Sequence, residues 1–411
     1  MRNRLRVVLT LSIFGVLLLN PGGYSTDYGT GNGIYQDRVD SFSEYSVRNT
    51  VSRNILSEFS FIPIYPKDST PTNYSYMPEL NQEYQNYFVN LQIQSLGITI
   101  LAKTLGLNTQ SQLDKLFTIM RYLSCFLLSL ALTMLLMTLM KRLEIFSRWK
   151  IIGIVFLSSS LVGFSYFNSN LYFLSFIFVI GLIIPLYFER LTIQLTFTFA
   201  WSLVSFLHGY EFITVYFVSV LSIFWIVRIL RNERFQIKDI VLVSVTLISS
   251  FLVSLLMLIM SHVLDKKTNL TFFDSASNIF NRVLARNISD TGVPPRLSPG
   301  FFSEMYRRWT LDGLNFFNLI TISQLGLVLT FTFLLLLKRF ISKKFSRLDV
   351  ALTIFSFGSY FSWYIFGYQH IMWHYMYDWY IFAVSFGLGT IFMGASILQT
   401  SSRSFGKSNL N

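Results

Sequence analysis

Cysteine is nearly absent from this 411-residue chain, and the single Cys125 lies inside an apolar run, so neither a disulfide framework nor a thiolate metal site can be built. Charge is scarce as well: 13% of residues are charged against 52% hydrophobic, which excludes an ordinary soluble globular domain. Fixed-spacing catalytic signatures are also missing. There is no Ser-His-Asp pattern with a nucleophile elbow, no His-Glu-x-x-His and no Walker motif. Gly29-x-Gly31-x-Gly33 has no Lys-Ser/Thr behind it and no βαβ pattern around it, so it is a flexible turn rather than a nucleotide loop.

What the chain has instead is phenylalanine, 42 residues of it, set in long apolar runs at a mean hydropathy of +0.49. A membrane-crossing helix needs roughly 20 apolar residues. The runs near 6–20, 117–140, 151–167, 171–188, 191–207, 212–230, 239–263, 317–337, 350–368 and 378–398 predict about ten transmembrane helices in an all-α membrane protein. Arg2, Arg4 and Arg6 before Val7–Leu19 resemble the start of a signal peptide, but Asn20-Pro-Gly-Gly23 offers no small-x-small cleavage site, so residues 1–20 are expected to be a retained signal anchor.

Charge placement orients the expected bundle. With the N-terminus in the cytoplasm, 19 of the 33 Lys and Arg fall on the cytoplasmic side with only 5 acids, and the short outer turns 168–170, 208–211 and 369–377 carry no Lys or Arg. This positive-inside bias accounts for the net charge of +12 without nucleic acid as a partner. It predicts a multi-pass plasma-membrane protein with both termini cytoplasmic. Spans 2–7 fill residues 117–263, spans 8–10 fill 317–398, and 399–411 form a cytoplasmic tail. Two segments, 21–116 and 264–316, are too long for connections and are expected as extracytoplasmic loops carrying amphipathic helices and the working face of the protein.

In the first loop, Asp37 and Asp40 precede Val47, Val51, Ile55 and Phe59 at near-helical spacing, which predicts an amphipathic helix with acids at its N-terminal end. The acids there serve either as caps or as functional groups. A second stripe of Tyr84, Phe88, Leu91, Ile98, Ala102 and Leu105 predicts another amphipathic helix, with Gln85, Asn86, Gln92 and Lys103 toward water, lying in the interface or packed on the bundle.

The second loop carries Arg296 and then the aromatic and basic run Phe301-Phe-Ser-Glu-Met-Tyr-Arg307-Arg308-Trp309. Arginine forks suit phosphate oxygens, and Trp and Tyr suit the headgroup level. The run fits a phosphate-bearing lipid site or an interfacial helix with solvated arginines. Two short outer turns are polar for their depth: His208-Gly-Tyr-Glu211, and Gln369–Trp379, where His370, His374 and Asp378 share a face if the last helix starts near 369. Such a face can hold a divalent metal or a diphosphate, or simply belong to an aromatic belt.

Asp37-x-x-Asp40 followed by Tyr45 and an amphipathic helix, then Tyr84-x-x-Tyr87-Phe88 through Gln94 and Gly97 into Arg121 at the second span, resembles the GT-C class of polytopic glycosyltransferases. The layout of a first span, a long acidic loop, many spans and a second large loop covers nearly the whole chain. The adjacent Asp-Glu or Asp-x-Asp pair common in that class is absent.

The resemblance implies sugar transfer from a polyprenyl-phosphate donor to a glycan, lipid or protein acceptor on the extracytoplasmic face, with inversion. It implies Asp37 or Asp40 as general base, Arg296, Arg307, Arg308, His370 and His374 on the phosphate side, and Glu211, His208 and Asp378 binding or orienting substrate. A polysaccharide polymerase or ligase would share the donor and the side; a lipid or oligosaccharide flippase would lack the bond chemistry. Of spans after the first, only one has a proline well inside it, Pro185, and no internal repeat is visible, which disfavours a transporter.

Overall fold

The computed structural model describes residues 2–19, 24–25, 41–57, 59–66, 84–86, 91–142, 171–172, 174–210, 212–233, 236–265, 269–285, 303, 305–306, 309–310, 313–316, 320–366, 381 and 383–408. The expected span at 151–167 lies outside them.

Among the described residues helices dominate: α1 (Arg2–Leu19), α2 (Ser41–Leu56), α3 (Ile93–Thr104), α4 (Gln110–Arg142), α5 (Ser175–Tyr187), α6 (Leu191–His208), α7 (Ile213–Leu230), α8 (Ile237–Leu264), α9 (Phe272–Ala285), α10 (Gln324–Ser342), α11 (Arg347–Thr353), α12 (Ser359–Phe366) and α13 (Leu388–Ser408). By length and composition five of them, α4, α6, α7, α8 and α10, can cross a membrane, while apolar stretches in α1, α5 and α13 are shorter.

Several of these helices start where reciprocal capping satisfies the free amides of the first turn. Thr109 and Gln112 exchange side-chain and backbone hydrogen bonds ahead of α4, Thr271 and Asp274 do so ahead of α9, and Ser346 and Asp349 form the same box ahead of α11.

The helices pack around one large core. α1 lies along α4, where Thr10 donates to Thr133 at 3.1 Å and Phe14 meets Phe126 edge-on. α7 runs antiparallel to α11 and α12, since Phe212 packs on Trp363 at one level and Ser219 bonds Ser359 at 2.9 Å further along. Two π-helical turns, Ile354–Gly358 between α11 and α12 and Ala383–Gly387 before α13, face each other through Phe357 and Phe386, whose ring centroids are 4.8 Å apart. Beside them Gly389 lies against Ser356, so close that a Cβ at 389 would stand 1.9 Å from the Ser356 hydroxyl.

Four expectations are corrected. Within the apolar run at 317–337, residues 320–323 are strand and not helix. Gly313–Phe316 (β4) and Ile320–Ser323 (β5) form an antiparallel hairpin and α10 starts only at Gln324, because a short apolar run with alternating side chains suits a strand as well as a helix. Tyr84 lies in a strand, Tyr84–Asn86 (β3), paired with Ile64–Pro66 (β2), and not in a helix with Ile98. Gln92 does not face water. It is fully buried and bonded to Ser46 and Ser95, while Leu105 of the expected stripe is exposed. The other expected amphipathic helix is present as α2, with Val47 and Val51 buried, but its polar residues Ser46, Arg48, Asn49, Thr50, Ser52 and Asn54 are buried as well, and Phe59 lies beyond its end and is exposed, so α2 has no single apolar face.

Candidate functional site

The two long segments meet at one end of the helix bundle. Tyr24–Ser25 (β1), just after α1, pairs antiparallel with β4 of the second segment, with Tyr24 opposite Leu314 and Ser25 opposite Gly313. A second junction joins residue 60 of the first segment to residue 265, directly after α8.

This junction is built from the end of α2. Asn54 clamps the backbone of Ser60 from both sides, accepting its N–H at 3.0 Å and donating to its C=O at 3.2 Å. Arg53 donates to the Ile62 carbonyl at 2.8 Å and Thr50 accepts from the Ile64 N–H at 3.0 Å, so residues 59–64 fold back over α2. The turn thus held aims the Ser60 hydroxyl at the Asp265 carboxylate, to which it donates. Asp265 is buried, and its N–H closes the last turn of α8 on the Ser261 carbonyl at 3.1 Å. One turn earlier, His262 Nδ1 is 2.8 Å from the hydroxyl of Ser275 on α9.

A carboxylate taken out of water needs donors in fixed positions. Asp265 has such a donor in Ser60, whose turn is tied to α2, while α9 is fastened one turn earlier on α8 through Ser275 and His262. In sequence Asp265 reads only as the start of a loop, and its one signal is an acid placed directly behind a long apolar run.

Of the ten residues expected to carry function, the structure describes only His208; Asp37, Asp40, Glu211, Arg296, Arg307, Arg308, His370, His374 and Asp378 lie outside the described residues. His208 is buried, and its Nε2 accepts the backbone N–H of Leu174 at 2.9 Å, at the start of α5. A backbone amide can only donate, so Nε2 carries its lone pair and the ring is neutral with its proton on Nδ1. This geometry makes His208 a cap for α5. The cavity beside it, lined by Ser205, Gly209, Phe212 and Tyr216, has free interior for about one water molecule, too little for a substrate.

At the same end, an aromatic and amide cluster joins the start of α10 to α12. Tyr360 donates to Gln324 at 2.8 Å and bonds Tyr364 at 2.9 Å, and Trp309 packs on both tyrosines with ring centroids 6.2 and 6.4 Å away. The tryptophan of the aromatic and basic run is therefore docked on the helices. α4 joins this end through Arg48, which pairs with Asp114 at 2.8 Å and lies over the Phe117 ring. Among the described residues no three His, Cys, Asp or Glu side chains stand close enough to share a metal ion.

No protein-family model matches this chain, and no curated protein or solved structure matches it.

Proposed function

We propose that this chain is a membrane-embedded, inverting glycosyltransferase that moves a sugar from a polyprenyl-phosphate donor to a glycan, lipid or protein acceptor on the extracytoplasmic face. The observation that carries the reading is the meeting of the two long segments at one end of a bundle of membrane-length helices, through the β1–β4 pairing and the Ser60–Asp265 contact. That arrangement supports a reading in which a water-facing working face lies beside a lipid-embedded body, as a donor with a lipid tail and a polar sugar requires.

In this reading about ten spans hold both termini in the cytoplasm. The acceptor hydroxyl attacks the anomeric carbon, the bond from that carbon to the phosphate oxygen breaks, and polyprenyl phosphate departs. Asp37 takes the acceptor proton, with Asp40 as the second choice. Arg296, Arg307, Arg308, His370 and His374 balance the charge that develops on the leaving phosphate, and Glu211 with Asp378 orients them or holds the acceptor. His370, His374 and Asp378 would be the ligands if a divalent metal takes part. His208, whose Nε2 accepts the Leu174 N–H, would meet substrate only through Nδ1.

The test is radiolabelled sugar transfer from polyprenyl-phosphate donors in membranes carrying the wild type, Asp37→Asn, Asp40→Asn or Asp265→Asn at matched expression. Loss of general-base function lowers transfer by about 100-fold or more in one of the first two variants. Loss in Asp265→Asn alone moves the base to the junction described above. A wild type silent with every donor favours the flippase class over the enzyme.

A further inference from the structure

Helix α9 follows α8 after a short connection and has two unlike faces. Advancing about 100° per residue around the axis, Ile279, Phe272, Ala276, Phe280 and Phe273 sweep one arc, and Ser277, Asn281 and Asp274 occupy the next. One edge of the apolar arc is held by protein: Ile279 is buried in a small cluster with Leu258 and Ile259 of α8, and Ser275 is bonded to His262. The rest of the arc is bare. Phe273 is 82% exposed, Phe280 62% and Phe272 42%.

Exposed phenylalanines in a row on one helix are costly in water and mark a surface that meets something apolar. The neighbouring surface says what. α8 has 28 residues, about 42 Å of helix against a hydrocarbon core of about 30 Å, so its last turns reach the headgroup level. Those turns are apolar and open: Met257, Met260, Val263 and Leu264 are all exposed. α9 is fastened to these turns through the Ile279 cluster and the Ser275–His262 contact, so its exposed phenylalanines lie at the level of the end of α8, while Asp274 and Asn281 occupy a different arc of α9.

We propose that α9 is an interfacial helix, with Phe272, Phe273 and Phe280 inserted at the boundary between headgroups and acyl chains. The inference rests on α8 being a membrane span and is independent of any sugar transfer. Lipid insertion of α9 holds Ser275 against His262 and so fixes the level of the Asp265 junction relative to the membrane surface.

The experiment uses the full chain in phosphatidylcholine and phosphatidylglycerol vesicles, on a Cys125→Ser background, with a spin label at Leu252→Cys, Phe273→Cys, Asp274→Cys, Phe280→Cys or Asn281→Cys. The label at 252, on the exposed side of α8, is the control for the span. The expected result is oxygen accessibility several-fold above that of a water-soluble nickel reagent at 252, 273 and 280, and the reverse at 274 and 281. Nickel access at 273 and 280 equal to that at 274 would overturn the proposal, as would protection from both reagents, which signals a protein cover such as a second copy. Oxygen access lost at 252 as well removes the span itself. Wild-type chain irradiated with lipids bearing a diazirine in the acyl chain gives the same answer without substitution: adducts on Phe273 and Phe280 support the inference, and adducts confined to α8 sink it.

Discussion

At the end of the bundle where α5 turns into α6, α7 into α8 and α10 into α11, the connections are short and fastened by charge. Arg228 pairs with Glu233 and Asp239, Arg231 donates to the carbonyls of Phe188 and Glu189, and Lys338 is buried against Asp349 and Ser396. At the opposite end the segments are long and the fasteners are mostly neutral hydroxyls and amides: Asn54 on Ser60, Gln92 on Ser46, Gln94 on the Tyr172 carbonyl, Tyr360 on Gln324. A short turn loses little chain entropy, so a few ion pairs suffice. A long segment must be positioned at many points, and directional hydrogen bonds do this without the desolvation cost of burying charge.

Breaking the charged fastening has the largest expected effect. Lys338→Met leaves Asp349 buried without its cation and should cost about 3–5 kcal/mol, read as a lower unfolding midpoint in detergent, whereas Lys338→Met with Asp349→Leu recovers most of it. Full stability in the single variant would show that the pair is not buried in the folded protein.

Between the two ends, Gly181→Ala probes a close helix contact. Its Cβ would stand 2.4 Å from the Tyr216 hydroxyl oxygen and 2.6 Å from a ring carbon, so about 1–3 kcal/mol is expected, only partly relieved by Tyr216→Phe because the ring remains.

At the end where the long segments meet, Asn54→Ala removes two buried hydrogen bonds from the 59–64 turn and should cost about 1–3 kcal/mol. The loss appears as faster amide exchange in that turn, with α7 and α11 unchanged; exchange that rises throughout would mean the turn supports the whole bundle.

The smallest effect belongs to Asp274. Its hydrogen bonds from Thr271 lower its pKa below the ordinary value of 3.8, so its capping contribution is complete at neutral pH and fades as pH falls through that lowered value. Asp274→Asn should speed exchange in the first turn of α9 at pH 7 and make no difference once the wild-type carboxyl is protonated.

The same contrast explains what could be read from sequence. Apolar length alone marks 117–140, 191–207, 212–230 and 239–263, and the structure places α4, α6, α7 and α8 over those runs. Length says nothing of how a long polar segment returns to the bundle. Gln92 reads as water-facing, yet it is buried because Ser46 and Ser95 receive it, and Ser60 and Asp265, 205 positions apart, share no local pattern. His208 stands out as ionisable at its depth, but its bond from the Leu174 backbone has no sequence signal. The hairpin at 313–323 was hidden because strand and helix share short apolar runs.

The facing π-turns, Ile354–Gly358 and Ala383–Gly387, share the tripeptide Ser-Phe-Gly, at 356–358 and 385–387. A π-turn takes up one residue more than the helix around it, which rotates everything beyond it by about 100°. Removing a residue from one turn would swing Tyr360 and Trp363, or Phe392 on the other helix, out of their present contacts. Because Tyr360 is held by Gln324 and Trp363 by Phe212, on helices outside either π-turn, each extra residue sets a register that the rest of the bundle reads.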